Sequence, residues 1–276
     1  MKITAQQVNE LRKITGAGMM DCKNALVECD GDLEKAIDVL RKKGQKVAAK
    51  RADREAGEGV VLAKISDDKK FGAAIMINCE TDFVAKNADF VSYVQSVLDL
   101  AIENRAASED ALKALTLDGR TVEETITDQT GVIGEKIQLG HYEVIEAESV
   151  YAYIHPGNRI ATIAGFNLAG DKLTDAGKDV VMQIAAMSPV SLDKEDVSQE
   201  MIDREIEIGK DQARQEGKPE EMLEKIALGK LNKFFKESTL LNQAFIKDSK
   251  QSVSQYLKSV DKDLTVTAFK RLALQS

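Results

Sequence analysis

Cysteine and histidine are scarce in this chain of 276 residues. The three cysteines, Cys22, Cys29 and Cys79, are odd in number and show no C-x-x-C spacing. They indicate neither a disulfide framework nor a zinc knuckle, and they fit a reducing compartment. The two histidines, His141 and His155, are too few for an all-histidine metal site. No uninterrupted apolar run reaches the length of about 18 residues needed to span a bilayer. The start, MKITAQQVNELRKITG, lacks the apolar stretch of a signal peptide. A cytoplasmic protein without membrane contact is expected. Basic charge is also in deficit: the net charge of -8 and the pI of about 5.1 give an average field that repels phosphate. Direct nucleic-acid binding is therefore not expected.

The motifs of common chemistries are missing too. The chain has no G-x-x-x-x-G-K-[ST] loop, no G-x-G-x-x-G after a strand, no H-E-x-x-H and no G-x-S-x-G. Cys79, His155 and Asp82 can be drawn as a nucleophile set. Cys79 closes an apolar strand, however, and reads more simply as a small core residue. The acidic residues lie at helical spacing to Lys and Arg, the usual solvated arrangement. No metal, cofactor or covalent chemistry is expected, and the balance favours a binding or regulatory protein.

What is present describes a soluble globular chain of two or three domains, 43% hydrophobic and 30% charged. Thr4-x-x-Gln7 is a capping-box pattern with Ile3 and Val8 as its staple. Val8, Leu11 and Ile14 form a stripe, and Gly16 supplies a left-handed stop. A second helix follows from about Gly18. After Asp30-Gly31-Asp32, a third carries Leu33, Ala36, Ile37 and Leu40 and ends by Gly44. This compact three-helix bundle resembles a ubiquitin-associated module and buries little surface. Arg41 to Arg54, seven basic residues against one acid, reads as a solvated helical linker.

From Glu55 the periodicity becomes β-like. GVVLAKIS and FGAAIMINC form a hairpin across DDKK. A helix follows with Phe90, Val94, Val97, Leu98 and Ala101 on one face. Shorter helical patterns then lead into the strand KIQLGHYEVIE. SVYAYI and RIATIAGF repeat the hairpin around His155-Pro156-Gly157-Asn158, and Asp175 to Met187 repeats the helix. The fold class is α+β with a duplicated β-β-α unit. Ser198 to Glu216 and Pro219 to Lys236 form a projecting antiparallel helical hairpin with Ile202, Ile206, Met222, Ile226 and Leu231 as its seam. The expected divisions are 1–54 for the bundle and basic linker, 55–140 for the first core subdomain and 141–190 for the first part of the second. The hairpin takes 191–230, and 231–276 completes the second subdomain.

The stretch NCETDFVAKNADF raises one specific question. Phe83 lies seven residues before Phe90, which fits a single buried stripe. Alternatively Asp82 starts a short turn and Asn87 restarts the helix, which frees Phe83 to point outward.

LRKITGAGMMDCKNAL (Leu11 to Leu26) and TDFVAKN (Thr81 to Asn87) resemble the two signatures of the bacterial elongation factor Ts family. YIHPGNRI, SLDKEDVS, EGKPEEMLEKIALGKLNKFFKE and LLNQAFIKDSKQSV match it in order over nearly the whole chain. The resemblance implies a ubiquitin-associated-like bundle, two α+β subdomains and a helical hairpin inserted in the second. It also implies a guanine-nucleotide exchange factor for elongation factor Tu, in its GDP-bound and nucleotide-free states. No bond is made or broken: the Asp82-Phe83 pair, flanked by Thr81 and Val84, disturbs the partner's magnesium and phosphate region. Arg12, Met19, Met20, Ile133, Gly134 and His155 match further contacts. One methionine alternatively closes the bundle core, Ile133 also fits a core position, and His155 an exposed turn. A dimer of the two-protein complex stays open. The end at FKRLALQS is earlier than in members with an additional C-terminal helical module, so that contact is expected to be missing or reduced. Leu139, Gly140 and His141 stand where the family often has arginines. The rival is an interaction module without exchange activity.

Overall fold

The computed structural model describes residues 3–274. Three helices come first, α1 (Ala5–Thr15), α2 (Met19–Glu28) and α3 (Leu33–Arg51). Thr4 and Gln7 close a capping box, and Gly16 ends α1 at φ 66°, a left-handed geometry that costs glycine nothing. Leu11, Cys22, Leu26 and Ala36 are buried among the three helices. Two expectations change. Ile14 is 56% exposed rather than part of the stripe, because only Val8 and Leu11 of α1 face the small core. The third helix does not end by Gly44 but runs to Arg51, so most of the basic segment is its last turns.

The first sheet begins with the hairpin β1 (Glu58–Ile65) and β2 (Phe71–Cys79), paired antiparallel from Glu58↔Cys79 to Ile65↔Gly72. Helices α4 (Asp82–Ala85), α5 (Ala88–Glu103) and α6 (Glu109–Ala114) follow, then a small ribbon of β3 (Thr116–Leu117) and β4 (Arg120–Thr121). After α7 (Val122–Ile133), strand β5 (Gln138–Glu146) returns along β2, giving the order β1-β2-β5. The second sheet starts with β6 (Ser149–Ile154) and β7 (Ile160–Phe166) and is followed by α8 (Thr174–Met187). The long helices α9 (Gln199–Gln215) and α10 (Glu220–Ser238) come next, then β8 (Ala244–Phe245), β9 (Asp248–Ser252) and α11 (Val253–Val260). Strand β10 (Val266–Ala273) joins β7, so the order is β10-β7-β6. In both sheets the last strand to arrive pairs with the second strand of the hairpin.

Helices cover one side of each sheet, and the sheets meet on the other. Phe90, Val94, Val97 and Leu98 of α5 pack on Ile75 and Ile77. Val180, Val181 and Ile184 of α8 pack on Ala164 and Phe166. Between the sheets lie Val61, Ala74, Val150, Ala161 and Ile163. Every residue of β2 is buried, which is why its sequence is a continuous apolar run rather than an alternation. Each fully buried Val, Leu, Ile or Phe contributes roughly 1.5–3 kcal/mol. Small residues set the spacing: a Cβ on Gly72 would lie 2.7 Å from Val150 Cγ1.

The bundle is seated on the first half through α3 and α7. A Cβ on Gly131 would lie 2.4 Å from the Gly44 Cα, so the two backbones touch where the helices cross. The α9–α10 pair closes on Gly209, Ala213, Leu223, Ala227 and Leu231, all buried. This corrects the expected seam, since Met222 is exposed and Ile202, Ile206 and Ile226 are only half-buried. A Cβ on Gly209 would come within 3.1 Å of the Ala227 Cα, so the close approach selects small residues at that level.

Candidate functional site

The TDFVAKN stretch occupies the connection between β2 and α5. Thr81 is the N-cap of α4, its hydroxyl accepting the Val84 amide at 3.4 Å. Asn87 is the N-cap of α5, accepting from Asp89 at 2.8 Å and Phe90 at 3.3 Å. The restart at Asn87 is as read from the sequence. The first cap is Thr81 rather than Asp82, which is instead the first helical residue. Two caps this close break the register between the phenylalanines. Phe90 is buried, whereas Phe83 is 82% exposed, more than any other large apolar side chain among the described residues.

Charge surrounds this turn. Lys86 donates to the Asp82 carboxylate at 2.6 Å, one helical turn away, and holds its pKa below the ordinary value. Glu135, just after α7, accepts from the amides of Glu80 at 3.1 Å and Thr81 at 3.0 Å and from the Thr81 hydroxyl at 2.7 Å. Glu80 in turn accepts the Lys136 amide at 2.7 Å and an Arg51 guanidinium N–H at 2.7 and 2.9 Å. These two donors hold the Glu80 carboxyl below the ordinary carboxylate value. The Lys136 ammonium donates to the Ala52 and Arg54 carbonyls at 2.8 and 3.0 Å, just past α3. Nothing in local spacing announces Glu80, Glu135 or Arg51. Their partners lie 29 to 56 residues away.

The remaining sequence-identified residues lie on α1 and α2 of the bundle, at the end of α7 and in the β6–β7 turn. Gly134 caps α7 at φ 80°, one residue before Glu135. Ile133 is half-buried and packs against the first core, so its side chain is committed largely to packing. Gly16, four residues after Arg12, lies against Val132 of α7, with an added Cβ 3.6 Å from Val132 Cγ1. Met19 and Met20 open α2 at 56% and 62% exposure, and neither closes the bundle core. Arg12 is exposed. His155 is exposed in the β6–β7 turn, its Nδ1 3.0 Å from the Tyr153 hydroxyl. That turn reaches the start of β1: the Val61 amide donates to the Asn158 carbonyl at 2.8 Å, and Arg159 pairs with Glu58. Glu58 is in turn the strand partner of Cys79. Gly134 and His155 thus connect to the TDFVAKN turn through Glu135 and through Glu58, whereas Arg12, Met19 and Met20 lie exposed on the N-terminal bundle, outside these contacts.

A sequence model of the family described as Elongation factor TS matches residues 80–276. The chain is 56% identical over 273 residues to the Elongation factor Ts of Christiangramia forsetii, covering 99% of each. The chain belongs to the elongation factor Ts family. It is also 53% identical to the Elongation factor Ts of Cytophaga hutchinsonii, with 99% of each covered. With that of Porphyromonas gingivalis it shares 51%, with 100% of each covered.

The nucleophile set drawn from Cys79, His155 and Asp82 is not assembled. Cys79 is fully buried, its thiol donates to the Thr81 carbonyl at 3.2 Å, and burial pushes its pKa up to about 12. Almost no thiolate exists near neutral pH. Asp82 and His155 are paired elsewhere, with Lys86 and Tyr153. Among the described residues no three His, Cys, Asp or Glu side chains are grouped to hold a metal ion. No helix among them is long and apolar enough to cross a membrane. Gly140 sits at the irregularity where β5 steps past β2 between Met76 and Ile77. A Cβ there would lie 1.9 Å from Asn78 Oδ1, so the position requires glycine unless Asn78 moves.

Proposed function

We propose that the protein is a guanine-nucleotide exchange factor for elongation factor Tu during translation elongation, and that Asp82 and Phe83 are its wedge. The carrying observation is Phe83, a large aromatic side chain held 82% exposed on a short helix capped by Thr81. An aromatic group kept out of its own core at such cost to solvation is suited to a pocket on a partner. GDP on a GTPase is held by backbone amides, a lysine and Mg²⁺. A protein that binds the distorted nucleotide site better than the GDP-bound one lowers nucleotide affinity by the coupling free energy, and nucleotide weakens the protein's binding equally. Inserting one aromatic anchor supplies about 2 kcal/mol or more of that difference. GTP binding then expels the factor, and no covalent step or cofactor is required.

Thr81 and Val84 frame the wedge. Arg12, Met19 and Met20 of the N-terminal bundle, the Ile133-Gly134 loop and His155 supply the other contacts. Met19 and Met20 suit an apolar partner surface, because flexible thioethers adapt to irregular shapes. In this reading 1–54 is a ubiquitin-associated-like bundle with its linker, and the two α+β subdomains and the projecting hairpin follow with two bounds moved: the first subdomain extends beyond 140 to the end of β5 at Glu146, and the hairpin beyond 230 to the end of α10 at Ser238. The protein works in the cytoplasm.

The test is stopped-flow release of labelled GDP from elongation factor Tu. Wild-type protein at micromolar concentration is expected to accelerate release strongly. Phe83→Ala is expected to lose at least tenfold of that acceleration with an unchanged circular dichroism spectrum. An unaltered release rate with wild-type protein sinks the reading, and full activity of Phe83→Ala sinks the wedge.

A further inference from the structure

We infer that Glu135 is a positioning residue for the Phe83 turn, and that Glu80 and Arg51 extend the same bracket to the end of α3. The inference rests on the exchange activity proposed above. Helix α4 is four residues long and buries none of them fully; only Val84 and Ala85 pack partly against the core. Packing alone therefore leaves the direction of Phe83 loosely set. Two carboxylates supply what packing does not.

Each carboxylate grips the backbone of the segment that carries the other. Glu135 takes the Glu80 and Thr81 amides and the Thr81 hydroxyl. Glu80 takes the Lys136 amide. The exchange locks the start of the wedge turn to the segment directly after Gly134, the C-cap of α7, with charge-assisted bonds that are short and directional. Because Thr81 is both the N-cap of α4 and a ligand of Glu135, a shift of Glu135 moves the first turn of the wedge helix itself. Arg51 on Glu80 and Lys136 on the Ala52 and Arg54 carbonyls then attach the outgoing end of the N-terminal bundle. The Glu80 side chain is 16% exposed, so its bonds are sheltered more than those of a free surface pair.

Removing Glu135 leaves two amides and one hydroxyl without their acceptor. Glu80, Thr81 and Glu135 are half-buried rather than buried, so water can reach the freed groups and the fold is retained, but the turn is no longer aimed. A misdirected anchor penalises the insertion step more than the initial encounter. Glu135→Ala is expected to lower the limiting GDP-release rate on the order of tenfold while the half-saturating concentration for Tu·GDP changes by less than about twofold. Glu135→Gln retains a carbonyl acceptor for the two amides and can donate to the Thr81 hydroxyl, so it is expected to restore most of the rate.

The deciding experiment is a double-mutant cycle with Phe83→Ala in the same stopped-flow assay, with melting temperatures measured for every variant. A bracket that acts through Phe83 predicts that Glu135→Ala costs little more once Phe83 is gone. Arg51→Met is the second variant, with an expected loss of about threefold that also disappears in the Phe83→Ala background. It decides the matter if Glu135→Ala melts below the assay temperature. Wild-type acceleration with losses that multiply, or with no loss in either bracket variant, overturns the inference and leaves the exchange reading standing. Absence of wild-type acceleration overturns the exchange reading and this inference with it.

Discussion

The connections from β2 to α5 and from β7 to α8 occupy the same place in the two halves, yet they turn their apolar residues in opposite directions. In the first, the short helix α4 presents Phe83 to solvent. In the second, a single tight turn, Asp171–Leu173, brings Leu173 to 1% exposure in the core beneath α8. Both connections are tied to the segment that precedes the third strand. Asn167 accepts the Thr265 amide at 2.8 Å and donates to the Asp263 carbonyl at 2.7 Å. Lys172 adds an ion pair to Asp261 at 2.5 Å in the same connection. Glu80 and Thr81 meet Glu135 and Lys136 in the corresponding way, but there the carboxylates accept backbone amides directly and Arg51 is added. Strand adjacency explains why a tie exists in both halves, since β2 neighbours β5 and β7 neighbours β10. The extra turn, its threonine cap and the carboxylates that accept backbone amides are what distinguish the exposed Phe83 from the buried Leu173.

That comparison can be broken most directly at the two apolar side chains. Leu173→Ala is expected to cost roughly 2–5 kcal/mol in chemical denaturation, as for other buried leucines. Phe83→Ala is expected to stay within about 0.5 kcal/mol of wild type despite removing more atoms. Equal losses would mean that Phe83 carries fold stability and is not held out for a partner.

Next in size is the neutral tie. Asn167→Ala is expected to cost about 1 kcal/mol, since it removes the two side-chain bonds of Asn167 to Thr265 and Asp263 and leaves the backbone bond to the Thr265 carbonyl and the Lys172–Asp261 pair in place. The charged tie should differ from it in its response to acid. The Glu80 pKa is depressed by the Lys136 amide and Arg51, so its contribution is complete above the ordinary glutamate value of 4.5 and is lost as pH falls through the depressed value. Wild type should therefore melt higher than Glu80→Gln at neutral pH, and the two curves should converge below that range. The Asn167→Ala difference should remain flat over the same titration. A constant gap between wild type and Glu80→Gln down to pH 2 would remove the charge from the account.

The smallest effect is expected at Lys86. Its pair with Asp82 is exposed on both sides, 77% and 47%, and Lys86→Ala should leave the melting temperature unchanged within error.

Much of this organisation was legible from local pattern. The Thr4–Gln7 capping box and the Gly16 stop depend on contacts within a few residues, the hairpin at GVVLAKIS and FGAAIMINC on two apolar runs joined by one short turn, and each forms where spacing places it. The assignment of Asp82 as a cap missed by one residue, because threonine and aspartate both cap helices and stand side by side here. Ile14 and Met222 were misplaced for a different reason. Periodicity identifies a face but not whether anything lies against it, and at these two helix pairs the close approaches are made by Gly44 on Gly131 and Gly209 on Ala227. Small residues are nearly silent in a hydrophobic pattern, although they decide where two backbones can touch.

The amino-acid sequence by itself determined most of the elements, the Thr4 and Asn87 caps, the Gly16 stop and the family. Those follow from interactions a few residues in range and from a signature spread along the chain. Only the tertiary structure decided that Thr81 is gripped by Glu135 across 54 residues, and that Arg51 reaches Glu80 across 29. Hydrogen bonds between distant segments depend on how strands and helices are brought side by side, and no local spacing encodes that.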